Sequence, residues 1–256
     1  MCLVNFHFQD HPFYKLIVVA NRDEFYKRPT ATADFWKEYP NILGGRDLVH
    51  MGTWLGVNRD GRFAALTNYR DPAEAQGQFS RGDIVRIFLA ESDAPADFIQ
   101  KLSNNKGSYG GYNVVVGDGN QLLHYNNVLD EINEITPGTH SLSNHTLNTP
   151  WPKVAKGKQR LSEYVQSCPS EVTIDTLFDI ISDQTIAEDG ELPDTGVGLE
   201  MERLLSPLFI KSPNYGTRSS TVLLIDKDNH VTFVEQTFQD GEFLEENRFA
   251  FKIGEI

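Results

Sequence analysis

The sequence predicts an α+β protein with antiparallel sheets covered by helices, and three observations carry that reading. Strand-like apolar runs open the chain and close it. Two helix-periodic blocks, one at 82–102 and one from 151 onward, lie between them. Neighbouring apolar runs are joined by turn pairs such as Asp60-Gly61 and Asp228-Asn229, which is hairpin chemistry and therefore antiparallel pairing.

Residues 2–8, CLVNFHF, alternate in part and read as a strand; HPFY turns; 15–23, KLIVVANRD, reads as a second, more buried strand. The chain thus begins with a hairpin. Residues 25–52 carry Pro29, Pro40 and Gly44-Gly45, and are expected to form an irregular loop long enough for a functional role. Residues 53–68 are the clearest hairpin, turned at Asp60-Gly61. Ile84, Ile87 and Phe88, then Phe98, Ile99 and Leu102, recur at helical spacing around a break at Pro95. Strand, Gly-rich turn and strand follow at 112–127, and 140–144 is a short extended piece. Pro150 and Pro152 mark a helix start at 151–166, with Thr149 as the expected cap, and Leu177, Ile180 and Ile181 continue helical pattern after Pro169. The acidic stretch 187–202 is expected to be an exposed loop, 220–238 two strands, and 248–253 a last strand. No repeat divides the chain, so residues 1–256 read as one domain.

The formal charge of −13, from 23 basic and 36 acidic side chains, argues against nucleic acid and anionic lipid surfaces as partners. It leaves room for a local basic pocket. The first fifteen residues turn polar too soon for a signal peptide, and LIVVA and VLLI are too short to span a bilayer. The expectation is a cytoplasmic protein without a membrane span. Two cysteines, Cys2 and Cys168, make neither a disulfide framework nor a zinc set, and the seven histidines lack metal-binding spacing, so no metal is expected.

Chemistry concentrates at the start. Removal of Met1 would place the Cys2 thiol beside a free α-amine, whose pKa of about 7.7–8.0 suits a general base, so nucleophile and base would share one residue. The alternative is a small buried apolar side chain at the head of a strand. The first hairpin returns Asn21, Arg22, Asp23 and Glu24 toward that terminus. A guanidinium there should lower the thiol's pKa, and a carboxylate should hold the amine.

ANRDE after an N-terminal MCL, followed in order by TWLGV, ALTNYRDP, LSNHTLNTPWPKV and GTRSSTVLL, resembles the NRDE family of transport and Golgi organisation proteins, over residues 1 to about 235. More distantly it is similar to the N-terminal-nucleophile hydrolases related to choloylglycine hydrolase and penicillin V acylase. That resemblance implies a four-layer αββα sandwich of antiparallel sheets. It implies Cys2 as nucleophile, Arg22 and Asp23 as its neighbours, Asn68 near an oxyanion hole, Asn144 as a second Asn, and Arg218 as a late Arg. The acylases separate their Arg and Asp, so Asn21 and Glu24 compete for the equivalent places. Read from the residues alone, Asn68 fits a turn at 68–72 and Asn144 an N-cap or Asx turn.

Two functions follow as expectations. The first is an N-terminal cysteine amidohydrolase or acyl-transfer enzyme acting on a linear amide of an unknown acylated small molecule, with no cofactor. The second is a non-catalytic carrier that holds a lipid-like ligand or haem in an apolar cleft between the sheets. Substrate and oligomeric state are not encoded.

Overall fold

The computed structural model describes residues 2–73 and 77–255. Among them, thirteen strands form two fully antiparallel sheets. The first sheet contains β1 (Cys2–Phe8), β2 (Tyr14–Phe25), β10 (Gly138–Leu142), β11 (Tyr215–Asp226), β12 (His230–Gln239) and β13 (Glu242–Lys252), in the order β10-β1-β2-β11-β12-β13. The second runs in sequence order: β3 (Thr30–Phe35), β4 (Ile42–Asp47), β5 (Leu55–Asn58), β6 (Phe63–Asn68), β7 (Tyr112–Gly117), β8 (Leu122–Asn126) and β9 (Glu131–Glu134).

Strand periodicity sorts the side chains into layers. In β1 and β2, Val4, Phe6, Leu16 and Val18 point to the second sheet, where they meet Leu43, Val57, Phe63 and Val115. The intervening Leu3, Ile17 and Val19 point outward and pack under α3 (Pro152–Ser167) and α4 (Ile174–Ile181) through Val154, Leu161, Leu177 and Ile181. On the far side, α1 (Gly82–Ala90) and α2 (Pro95–Asn104) cover the second sheet through Ile84, Phe88, Phe98 and Ile99. The order is helix, sheet, sheet, helix. Because β2 is buried on both faces, it reads as a continuous apolar run instead of an alternating one.

The hairpin at 53–68 turns as expected, with Gly61 at φ 81° and Asn58 Oδ1 accepting from the backbone N–H groups of Asp60 and Arg62. Pro95 begins α2 and Pro152 begins α3.

Three expectations are corrected, and one strand had no counterpart among them. Residues 25–52 are not an irregular loop: they hold β3 and β4. A register shift between Ala31 and Asp34, and two glycines in β4, remove the alternation that would have announced those strands. The edge strand β9, EINE, is wholly exposed and has no apolar signature to find. Residues 187–202 are not simply a surface loop, because they end in α5 (Leu199–Leu205). Glu202 within it is buried, holding Arg70 at 2.7 Å and accepting from the Thr195 backbone N–H at 3.0 Å. Finally, Thr149 does not cap α3; its hydroxyl donates to the Thr146 carbonyl at 2.9 Å, and Trp151 occupies the cap position.

Candidate active site

The antiparallel register of β1 and β2 sets Cys2 opposite Arg22 and Leu3 opposite Asn21. On the other side of β2, Asp23 pairs with Thr217 and Arg22 with Ser219, and Arg218 is left as the extra residue of a bulge. The central strand of the sheet therefore brings NRDE to the head of β1.

Successive residues of a strand face opposite ways, and Arg22 and Asp23 follow that rule. Arg22 turns toward the second sheet, where its guanidinium lies 4.2 Å from the centre of the Trp54 ring and its Nη1 donates to Thr30 Oγ1 at 3.3 Å. Asp23 turns toward the helical layer, accepting from Thr217 Oγ1 at 2.8 Å. Asn21 is structural: its amide donates to the carbonyls of Ile181 and Leu208, and Ser220 donates to its Oδ1. Glu24 approaches Arg22 at 3.9 Å and Arg28 at 3.8 Å.

Cys2, Arg22, Asp23, Glu24 and Asn68 all line one cavity of about 500 Å³ that opens between the ends of the two sheets. Its remaining wall includes Arg28 paired with Asp47 at 2.6 Å, together with His50, Trp54, Phe79 and Arg81. The predominance of charged and polar groups marks a site for polar functionality.

Asn144 and Arg218 stand behind this wall. Asn144 is fully buried, and its Nδ2 donates to the Asn68 backbone carbonyl at 2.8 Å. The preceding Ser143 donates to the Cys2 carbonyl at 3.0 Å, so the 143–144 pair ties the head of β1 to the end of β6. Arg218 Nη1 donates to the carbonyls of Phe25, Tyr26 and Arg28 at 2.8–3.1 Å, which pins the turn that follows NRDE.

Electrostatics corrects one expectation. Arg22 does favour the Cys2 thiolate, but burial is the larger effect and pushes the thiol's pKa up, with Asp23 and Glu24 adding to the rise. Burial also raises the Asp23 carboxyl, against the pull of Lys153. A neutral thiol follows for the chain as it stands.

Sequence reading missed Lys153 and Glu235. Lys153 lies in the block TPWPK, where the prolines drew attention to helix initiation; a cation in a helix's first turn, opposed to the dipole, was the available signal. Glu235 reads as an ordinary strand residue, yet it is buried against the second sheet, where its Oε1 accepts from the Ala33 backbone N–H at 2.6 Å. Among the described residues, no three His, Cys, Asp or Glu side chains converge as metal ligands, and no helix is long and apolar enough to cross a membrane.

Layer order and topology define the class: this is a hydrolase-like fold of the N-terminal-nucleophile type. Variants of the conjugated bile acid hydrolase of Clostridium perfringens superpose with TM-scores of 0.57 and 0.56, each at 8% identity. The first pairing covers 98% of this chain and 92% of the hydrolase; the second covers 97% of each. Sequence is more specific than fold. The profile of the Transport and Golgi organisation 2 family matches residues 1–240, and the chain belongs to that family. It is 37% identical to the human transport and Golgi organization protein 2 homolog, covering 94% of this chain and 95% of that protein. The mouse homolog is 34% identical, with 94% and 95% covered, and the Drosophila melanogaster protein 27% identical, with 93% and 92% covered.

Proposed function

We propose that this protein is an N-terminal cysteine amidohydrolase that cleaves or transfers the acyl group of a linear amide in a small molecule, within a single domain in the cytoplasm. The observation that carries the reading is the register that sets Cys2 opposite Arg22 on the wall of a polar cavity, with Asp23 one residue beyond. Once Met1 is removed, the α-amine of Cys2 takes the thiol proton as the sulfur attacks the carbonyl carbon. The tetrahedral oxyanion needs an aimed donor, and the Asn68 side-chain amide on the cavity wall is the candidate, held by Asn144 behind it. The amine leaves with the proton, and water then hydrolyses the thioester, restoring the thiol.

A lipid or haem carrier would need an apolar compartment between the sheets, and that layer is filled by Phe6, Phe63, Phe233 and their neighbours. The test is a panel of N-acyl amides incubated with protein whose N-terminus is verified as Cys2, quenched early and mapped by mass. An acyl increment on the Cys2 peptide, absent in Cys2→Ala, is expected. No increment across amides and esters, with tight reversible binding of haem or a fatty acid, would replace the enzyme with the carrier.

A further inference from the structure

Lys153 occupies a position that a lysine ordinarily avoids. It is the second residue of α3, where the helix dipole disfavours a cation. Its side chain is 2% exposed, and its Nζ has no hydrogen-bond partner among the described residues. A buried ammonium without such a partner is costly, and it persists only where a nearby charge offsets the lost hydration. That charge is Asp23, whose Oδ2 lies 4.0 Å away and whose side chain is also buried.

The helix is fixed in this pose by its next turn. Gly157, four residues on and on the same face, seats directly on Asn5 of β1: a Cβ there would stand 2.5 Å from Asn5 Oδ1. The close approach draws the first turn of α3 onto the end of the first sheet, and Lys153 reaches the level of Asp23. By the β1–β2 register, Asp23 stands one residue beyond the Arg22–Cys2 pair, at the level of the N-terminal end of β1.

We propose that Lys153 is a positioning residue for the Cys2 site, holding Asp23 as a carboxylate aligned with the head of β1. The proposal rests on the amidohydrolase reading for its purpose, though not for its measurement. Four ionisable groups act on Lys153: Asp23 from β2 and, more weakly, Cys2 from β1 and Glu202 from α5 favour its charged form, and Arg70 opposes it. Burial outweighs those attractions and brings its pKa down to about 8. Asp23 feels Lys153 as its strongest side-chain counterweight to burial, with Thr217 and Arg70 next. Without the ammonium, the carboxyl would drift toward its neutral acid and lose its hold on the amine.

The test is the titration of Asp23, followed by its side-chain carboxyl ¹³C signal in the full chain as wild type, Lys153→Met and Lys153→Arg. Removing an opposite charge at this distance is expected to move the Asp23 midpoint upward by about one unit or more, with Lys153→Arg staying near wild type. An unmoved midpoint in folded Lys153→Met overturns the proposal. Should Lys153→Met not fold, the partner is read instead: the ε-¹³C signal of Lys153 should titrate at lower pH in Asp23→Asn than in wild type, and an unchanged titration overturns the proposal equally. Neither readout requires turnover, so failure of every amide substrate leaves this result standing, while turnover with an unmoved Asp23 removes Lys153 alone. With a substrate in hand, Lys153→Met should shift the acid limb of kcat upward with KM unchanged.

Discussion

Asn144 donates its side-chain amide to the backbone carbonyl of Asn68 at 2.8 Å, from a fully buried position behind the cavity wall on which Asn68 sits. On the amidohydrolase reading proposed above, Asn144 supports the wall and Asn68 is the one that contacts the substrate. Asn144→Ala leaves the half-buried Asn68 carbonyl without this donor, which costs about 1–3 kcal/mol of stability, measurable as a lower urea midpoint. Asn68→Ala should cost little stability. With a substrate, it should lower kcat by on the order of a hundredfold, the scale of one lost oxyanion donor. Equal stability losses in both variants would contradict this division.

Arg70 and Glu202 form a buried ion pair at 2.7 Å that ties α5 to the end of β6. Breaking it from one side, by Arg70→Met or Glu202→Leu, should destabilise the fold by about 3–5 kcal/mol, since the partner charge stays buried. The double variant should recover most of that loss. Urea unfolding of the three variants reads both quantities.

Processing should be visible in thiol chemistry. Intact mass of protein from its native host is expected to show a chain starting at Cys2. In unprocessed protein, iodoacetamide at neutral pH should label the half-exposed Cys168 ahead of the buried Cys2, whose thiol burial holds protonated. Freeing the α-amine should reverse the order. Peptide mapping that finds the same order before and after processing would remove the amine as the activating base.

Glu235 makes stability depend on pH. Burial pushes its carboxyl up to about 7 from an ordinary 4.5. A raised folded pKa means that the unfolded chain releases this proton first, so the contribution is fully present below pH 4.5 and is lost as pH rises through 7. Glu235→Gln keeps an acceptor for the Ala33 N–H and cannot ionise. It should raise stability at pH 8 by up to about 3 kcal/mol relative to wild type, with no gain at pH 4. Thermal melts at the two pH values check the sign.

What was legible in the sequence follows from what local chemistry can express. Asp60-Gly61 and Asp228-Asn229 announce hairpins because their turns demand left-handed backbone, and Gly61 and Asn229 adopt it. The apolar run LIVVA announces a strand covered on both faces, and Cys2 beside a removable methionine suggests a nucleophile before any contact is known. β3 and β9 were silent because edge strands with polar or bulged sequences bury too little to leave a pattern.

Local chemistry expressed the first hairpin and most, though not all, of the other elements, and with that hairpin the meeting of Cys2 and NRDE, since antiparallel pairing of adjacent strands needs only a short turn. Tertiary structure decided the rest. It filled the inter-sheet layer, raised the thiol's pKa against Arg22, moved Asn144 behind Asn68, and brought Lys153 to Asp23 across 130 residues of chain. Those outcomes depend on burial and on distances between remote segments, and neither quantity is a property of any local stretch of sequence.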